Sequence, residues 1–106
     1  MRIMLSLFLS VFLAFSAYAT ELDQSSLQGD WLITEFMGET SKDSDMWQFE
    51  GNKFYQNISG KRISPDKFKA SPGVIDLDYA KIKVTSFDGK TMQAVMAGFK
   101  YKLVKQ

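Results

Sequence analysis

Apolar and polar residues alternate with a period of two along most of this chain. The clearest stretch is Lys81-Ile82-Lys83-Val84-Thr85, with Ile82 and Val84 on one side and the lysines and Thr85 on the other. Such alternation marks a strand with one buried face. Asp88-Gly89 closes it as a hairpin turn, and Thr91–Met96 returns with Met92, Ala94 and Met96 sharing a face. Phe99, Tyr101 and Leu103 then alternate with Lys100, Lys102 and Val104 in a last strand. Upstream, strands are predicted over residues 31–37, 46–50, 53–59, 67–70 and 74–79, with turns at Gly51-Asn52, Ser59-Gly60-Lys61 and Ser71-Pro72-Gly73. Residues 20–26 read as a polar lead-in and 39–45 as a polar loop. Short strands broken by turns at intervals of about 8–12 residues predict an all-β fold. The expected form is a small antiparallel up-and-down β-barrel, or a strongly curved sheet, of about eight short strands.

The first twenty residues break the pattern. Met1-Arg2 is a short positive start, residues 3–15 are apolar apart from Ser6 and Ser10, and Ala17-Tyr18-Ala19 offers the small-x-small pattern of a signal-peptidase site. The apolar run is shorter than the roughly 20 residues a spanning helix needs. Residues 1–19 are therefore expected to be a cleaved signal peptide, residues 20–26 a polar N-terminal arm, and residues 27–106 one β domain. The mature protein would be periplasmic or secreted, with no membrane span left after cleavage.

Composition narrows the chemistry. The chain has no cysteine and no histidine. It lacks the residues for a zinc finger, a Ser/His or Cys/His nucleophile, a haem ligand set or a disulfide. No Gly-rich phosphate loop and no basic block are present, so neither a nucleotide cofactor nor a nucleic-acid partner is expected. After Ala19 the net charge is zero, but unevenly so. Residues 20–50 hold eight acids against Lys42 alone, and residues 51–106 hold four acids against eleven bases. Halves of −7 and +7 can pair across neighbouring strands or give the surface a dipole that steers a charged partner.

The opening of the β array, Leu27-Gln28-Gly29-Asp30-Trp31, places a Gly-x-Trp at the start of the first strand behind a short polar arm. It resembles the first-strand signature of the lipocalin and calycin barrels. The resemblance implies that Trp31, beside Gly29, closes the base of a lipocalin-like barrel and packs under a basic residue of the last strand, Lys100 or Lys102. The middle Thr-Asp-Tyr signature of that family is absent. Exported bacterial inhibitors of metalloproteases also put a polar arm before a Gly-x-Trp barrel. By that resemblance the arm, with Asp23 and Gln24, would thread into the cleft of a partner enzyme.

Three functions compete. The first, and the expected one, is a non-catalytic exported binding protein that engages another envelope or secreted protein through its rim, an edge strand or its arm, an inhibitor being one form; Lys61 and Arg62 at a loop tip are further candidate contacts. The second is a carrier or sensor of a small apolar ligand in the barrel mouth, lined by Trp31, Trp47, Phe54, Met92 and Met96. Methionines adapt to irregular apolar ligands. A copper(I) site built from those methionines is disfavoured without His or Cys to assist. The third is an enzyme, with Asp76 and Asp78 on one side of a strand and Glu35 on another. Lys81 and Lys83 follow so closely that neutralised surface carboxylates are the expected reading, so no catalytic residue, metal or cofactor is assigned. A filled interior is the favoured reading over a ligand-lined one: Trp31, Ile33, Trp47, Phe49, Phe54, Ile58, Ile82, Val84, Phe99, Tyr101 and Leu103 are expected to plug so short a barrel. Asn57-Ile58-Ser59 is a formal glycosylation sequon, relevant only in a eukaryotic host.

Overall fold

Period-two patterning becomes one curled antiparallel sheet. The computed structural model describes residues 21–63 and 65–106; the expected signal peptide, residues 1–19, lies outside them. A helical turn, α1 (Gln24–Leu27), leads into β1 (Gly29–Phe36), β2 (Glu39–Thr40), β3 (Met46–Glu50), β4 (Lys53–Ile58), β5 (Lys61–Arg62) and β6 (Asp66–Lys67). The second half is β7 (Lys69–Ser71), β8 (Val74–Asp76), β9 (Lys81–Phe87), β10 (Thr91–Met96) and β11 (Phe99–Lys105). The order across the sheet is β5-β4-β3-β1-β11-β10-β9-β8-β7, with β2 on β1 and β6 on β4, and the sheet curls into a half-barrel. Eleven strands stand where about eight were expected among the described residues, because several are two- or three-residue pieces. The expected strand 67–70 breaks at Phe68, whose ring turns into the core against Phe49 at 5.1 Å. The expected strand 74–79 stops at Asp76, since Asp78 has a φ of 75°.

Phe68 brings the two margins of the sheet together. One residue separates β6, paired to β4, from β7, paired to β8. The Tyr79 hydroxyl donates to Asp66 at 3.0 Å, tying the far connection to β6. First and last long strands lie side by side in the middle, β1 against β11 from Trp31↔Lys105 to Phe36↔Tyr101.

Two bulges steer the inward faces. In β1 the register slips at Thr34, whose hydroxyl donates to the Lys102 carbonyl at 3.1 Å. The extra residue turns Phe36 to the same face as Trp31 and Ile33, which strict alternation would forbid. Between β9 and β10 the slip leaves Thr85 unpaired, and its hydroxyl donates to the Gln93 carbonyl at 3.2 Å. Three hairpins at one end of the sheet turn on two residues with positive φ, Met37-Gly38, Ser59-Gly60 and Ala97-Gly98. That is the turn whose twist matches a right-handed strand pair.

The interior is filled. Trp31, Trp47, Phe49, Phe54, Ile75, Leu77, Ile82, Met92 and Leu103 are fully buried in one cluster with Leu22 and Leu27. Ile58 and Phe99, expected inside, are instead 44% and 46% exposed, because both stand where their strands end. Among the described residues no helix is long and apolar enough to cross a membrane.

Candidate functional site

The half-barrel has a closed base and an open mouth. At the base, α1 begins with a capping box. Asp23 accepts from the Ser26 N–H at 2.8 Å, and the Asp23 N–H donates to the Ser26 hydroxyl at 3.0 Å. Leu22 and Leu27 flank that box in the positions of a hydrophobic staple, and both are buried. Residues 22–26, expected as a polar arm, thus pack with the barrel. Asp23 is spent on its own turn, where the Ser26 N–H and then the Ser25 hydroxyl hold its carboxyl below the usual range. Gln24 is exposed, and its carbonyl accepts from the Gln28 amide at 2.9 Å. Gln28 also bonds both backbone polar groups of Gly51, at 2.8 and 2.7 Å, fastening α1 to the β3–β4 turn.

Trp31 sits on this base with its indole N–H donating to the Leu27 carbonyl at 2.8 Å. A cation does approach it from the last strand, but it is Lys105, whose Nζ lies 5.7 Å from the ring centroid and 3.4 Å from the Ser26 carbonyl. Lys100 and Lys102, the sequence candidates, are exposed; Lys102 pairs with Glu35 at 3.5 Å. The reason is parity along β11: Lys105 shares the inward face with Leu103, while Lys100 and Lys102 share the outward one. Gly29 makes room, since a Cβ there would lie 3.3 Å from Lys105 Cε.

The mouth lies at the other end of β1. It holds a solvent-open pocket of about 520 Å³, within the range of small-molecule sites. Its floor and walls are Ile33 and Phe36 of β1, Met46 and Trp47 of β3, Gln56 and Ile58 of β4, and Tyr101 of β11. The remaining side is β2 and the loop 41–45, contributing Glu39, Thr40, Ser41, Lys42, Asp43 and Asp45. That loop leaves β1 after β2 and rejoins it at β3, anchored by the Ser41 N–H to the Thr34 carbonyl at 2.9 Å and the Ile33 N–H to the Asp45 carbonyl at 3.0 Å. Asp45 also accepts from the Ser59 N–H at 3.1 Å.

Four rings line this end in series: Trp47 to Tyr101 at 4.8 Å, Tyr101 to Phe36 at 5.2 Å, and Phe36 to Phe99 at 5.6 Å. Burial raises the Tyr101 phenol above its ordinary value, so the ring stays neutral. Unlike Trp31, Trp47 has a buried indole N–H with no acceptor among the described residues. Its ring packs against Phe54 and Tyr101. Phe36, Met37, Ile58 and Phe99 leave an exposed apolar rim.

Of the five residues expected to line a cavity, only Trp47 reaches this pocket. Trp31, Phe54 and Met92 lie in the filled core, and Met96 packs half-buried against it. The pocket's other walls are hidden from the sequence pattern because Phe36 gains its face through a bulge, and Tyr101 and Ile33 read as core. Lys61 is exposed in β5. Arg62, expected at a loop tip, is in β5 and engaged on the outer face. It pairs with Glu50, donates to the buried Gln48 at 3.0 Å, and lies 4.0 Å over the Tyr55 ring. Asp76 bonds Lys81 at 3.0 Å and accepts from the Asp78 N–H at 2.9 Å, contacts that keep it ionised. Among the described residues no three His, Cys, Asp or Glu side chains gather as a metal site. Comparison with protein-family models, curated proteins and solved structures returns no match for this chain.

Proposed function

We propose that this protein is a non-catalytic, exported, lipocalin-like binding protein that takes a small apolar-bodied ligand in the mouth of its half-barrel. One observation carries the reading: a pocket of about 520 Å³, walled by Trp47, Tyr101, Phe36 and Ile58, stands above a filled interior. Burial of apolar ligand surface against such walls is favourable at roughly 25 cal/mol per Å². Support for the lipocalin-like build comes from Trp31 at the base, its N–H fixed by Leu27 and its face under Lys105. Export rests on the leader pattern of residues 1–19. Outside the mouth, Asp23, Asp76 and Asp88 are each taken up by backbone N–H groups of their own turns.

A second reading, docking of another exported protein, draws on the apolar rim of Phe36, Met37, Ile58 and Phe99. Its arm-threading version loses support, since Leu22 and Leu27 are core residues.

The test is a titration of the purified protein with N-phenylnaphthylamine, an uncharged fluorophore, followed by probe emission and intrinsic tryptophan fluorescence. Saturable one-to-one binding is expected, weakened by Ile58→Glu and by Phe36→Glu, both of which alter exposed side chains. A well-folded protein that shows no saturable binding would overturn the small-ligand reading.

A further inference from the structure

The mouth is built almost wholly from the acidic half of the chain. All its lining residues except Gln56, Ile58 and Tyr101 fall between Ile33 and Trp47, inside the stretch where eight acids face Lys42 alone. Three carboxylates, Glu39, Asp43 and Asp45, line the pocket against one ammonium, Lys42, so its wall carries a net charge of two negatives. The neutral rings of Phe36, Trp47 and Tyr101 stand in the same wall, with centroids 4.8 and 5.2 Å apart. Aromatic faces present negative potential, and together with a fringe of carboxylates they favour a cation that keeps an apolar shell.

We infer that the pocket selects an organic cation, an amine or quaternary ammonium carried on a small apolar body. The inference rests on the reading of the mouth as a ligand site and adds the ligand's charge. A bare divalent ion is a poorer fit, because it needs several oxygens at bonding distance, and these carboxylates do not gather as a metal cluster. A diffuse organic cation needs only proximity to the carboxylates and contact with the rings. The loop also suits it: Asp45 is fixed by the Ser59 N–H, while Asp43 and Glu39 are exposed. The charge segregation of the sequence gains a purpose by this route. Most of the lysines of the second half, among them Lys69, Lys81, Lys83, Lys100 and Lys102, stand exposed on other strands, and none of those five lines the pocket.

Three probes of similar size separate the possibilities: benzyltrimethylammonium, its uncharged carbon isostere neopentylbenzene, and benzenesulfonate. Each is titrated into the purified protein and followed by intrinsic fluorescence and calorimetry at low and at physiological salt. The cation should bind about tenfold more tightly than the neutral isostere, with the anion weakest and the preference shrinking as salt rises. The double variant Glu39→Gln/Asp43→Asn should abolish most of that preference, bringing the affinities for benzyltrimethylammonium and neopentylbenzene within about twofold of each other, at an unchanged melting temperature. If the isostere or the anion binds as tightly as the cation, the charge selectivity is wrong and the mouth remains a site for uncharged or anionic ligands. If none of the three binds a folded protein, the mouth reading itself fails and the selectivity falls with it.

Discussion

Gly29 and Lys105 should be energetically coupled, and the coupling tests how the base of the barrel closes. Gly29 has a φ of +118°, a conformation that side chains with a Cβ adopt only under strain. The Cβ introduced by Gly29→Ala would also lie 3.3 Å from Lys105 Cε, so the lysine stem must yield. The backbone strain costs about 1–3 kcal/mol, offset by roughly 0.4–1 kcal/mol from the stiffer unfolded chain. Displacing the Lys105 ammonium from the Trp31 face adds about 0.5–1 kcal/mol. A net loss near ~2 kcal/mol follows, or a fall of roughly 8–16 °C in Tm for a domain this small. Lys105→Ala removes the stem, so Gly29→Ala in that background should cost less by about 0.5–1 kcal/mol. The assay is a double-mutant cycle by urea unfolding with tryptophan fluorescence. Strict additivity would refute the contact between position 29 and Lys105, and a neutral Gly29→Ala would refute the argument from backbone strain.

Ala97→Asn should stabilise the protein by about 1 kcal/mol, because Ala97 occupies the left-handed region at φ 54° on an exposed turn that Asn-Gly fills without that penalty; urea unfolding measures it. Phe68→Ala should cost about 3–5 kcal/mol, since the buried ring packs on Phe49 where the margins of the sheet meet, and thermal melts will show whether the domain still folds. Acid should destabilise in a defined window. Asp23, Asp76 and Asp88 have carboxyl pKa values below 3.8 in the folded state, each lowered first by a backbone N–H. Their contribution is present above the unfolded value and is lost as pH falls below 3.8 through the folded values. With no histidine in the chain, Tm should be flat from about pH 5 to 7; a step in that interval would refute the prediction.

The long strands were legible because each spends one face on the core, and β3 and β10 fall on the expected residues. What the alternation could not carry was any change of face. Phe36 reads as outward by parity and becomes a mouth residue only through the Thr34 bulge, a slip set by pairing with β11. Phe68 looks like the middle of a strand of lysines and is instead the plug between two short strands. Residues 22–27 did carry a readable signal that composition hid. Leu22-Asp23-Gln24-Ser25-Ser26-Leu27 is a cap framed by two leucines five positions apart, the spacing of a staple rather than of a free arm. Lys105 falls outside the pair Lys100 and Lys102 that the resemblance implies, because the side facing Trp31 is decided by register alone.

The two tryptophans of this small sheet are held by different kinds of contact. They are direct cross-strand partners, Trp31↔Trp47, and both are fully buried. Trp31 has every anchor: a hydrogen bond from its N–H, a cation over its face and Phe87 at 5.7 Å. Those contacts come from α1, β11 and β9, so they lock the base against the ends of the chain. Trp47, one strand over, packs on Phe54 below and Tyr101 toward the mouth, and its N–H has no acceptor among the described residues. Trp47 lines the pocket and Trp31 lies outside it, so Trp47 is the side chain whose emission should report a ligand in the mouth.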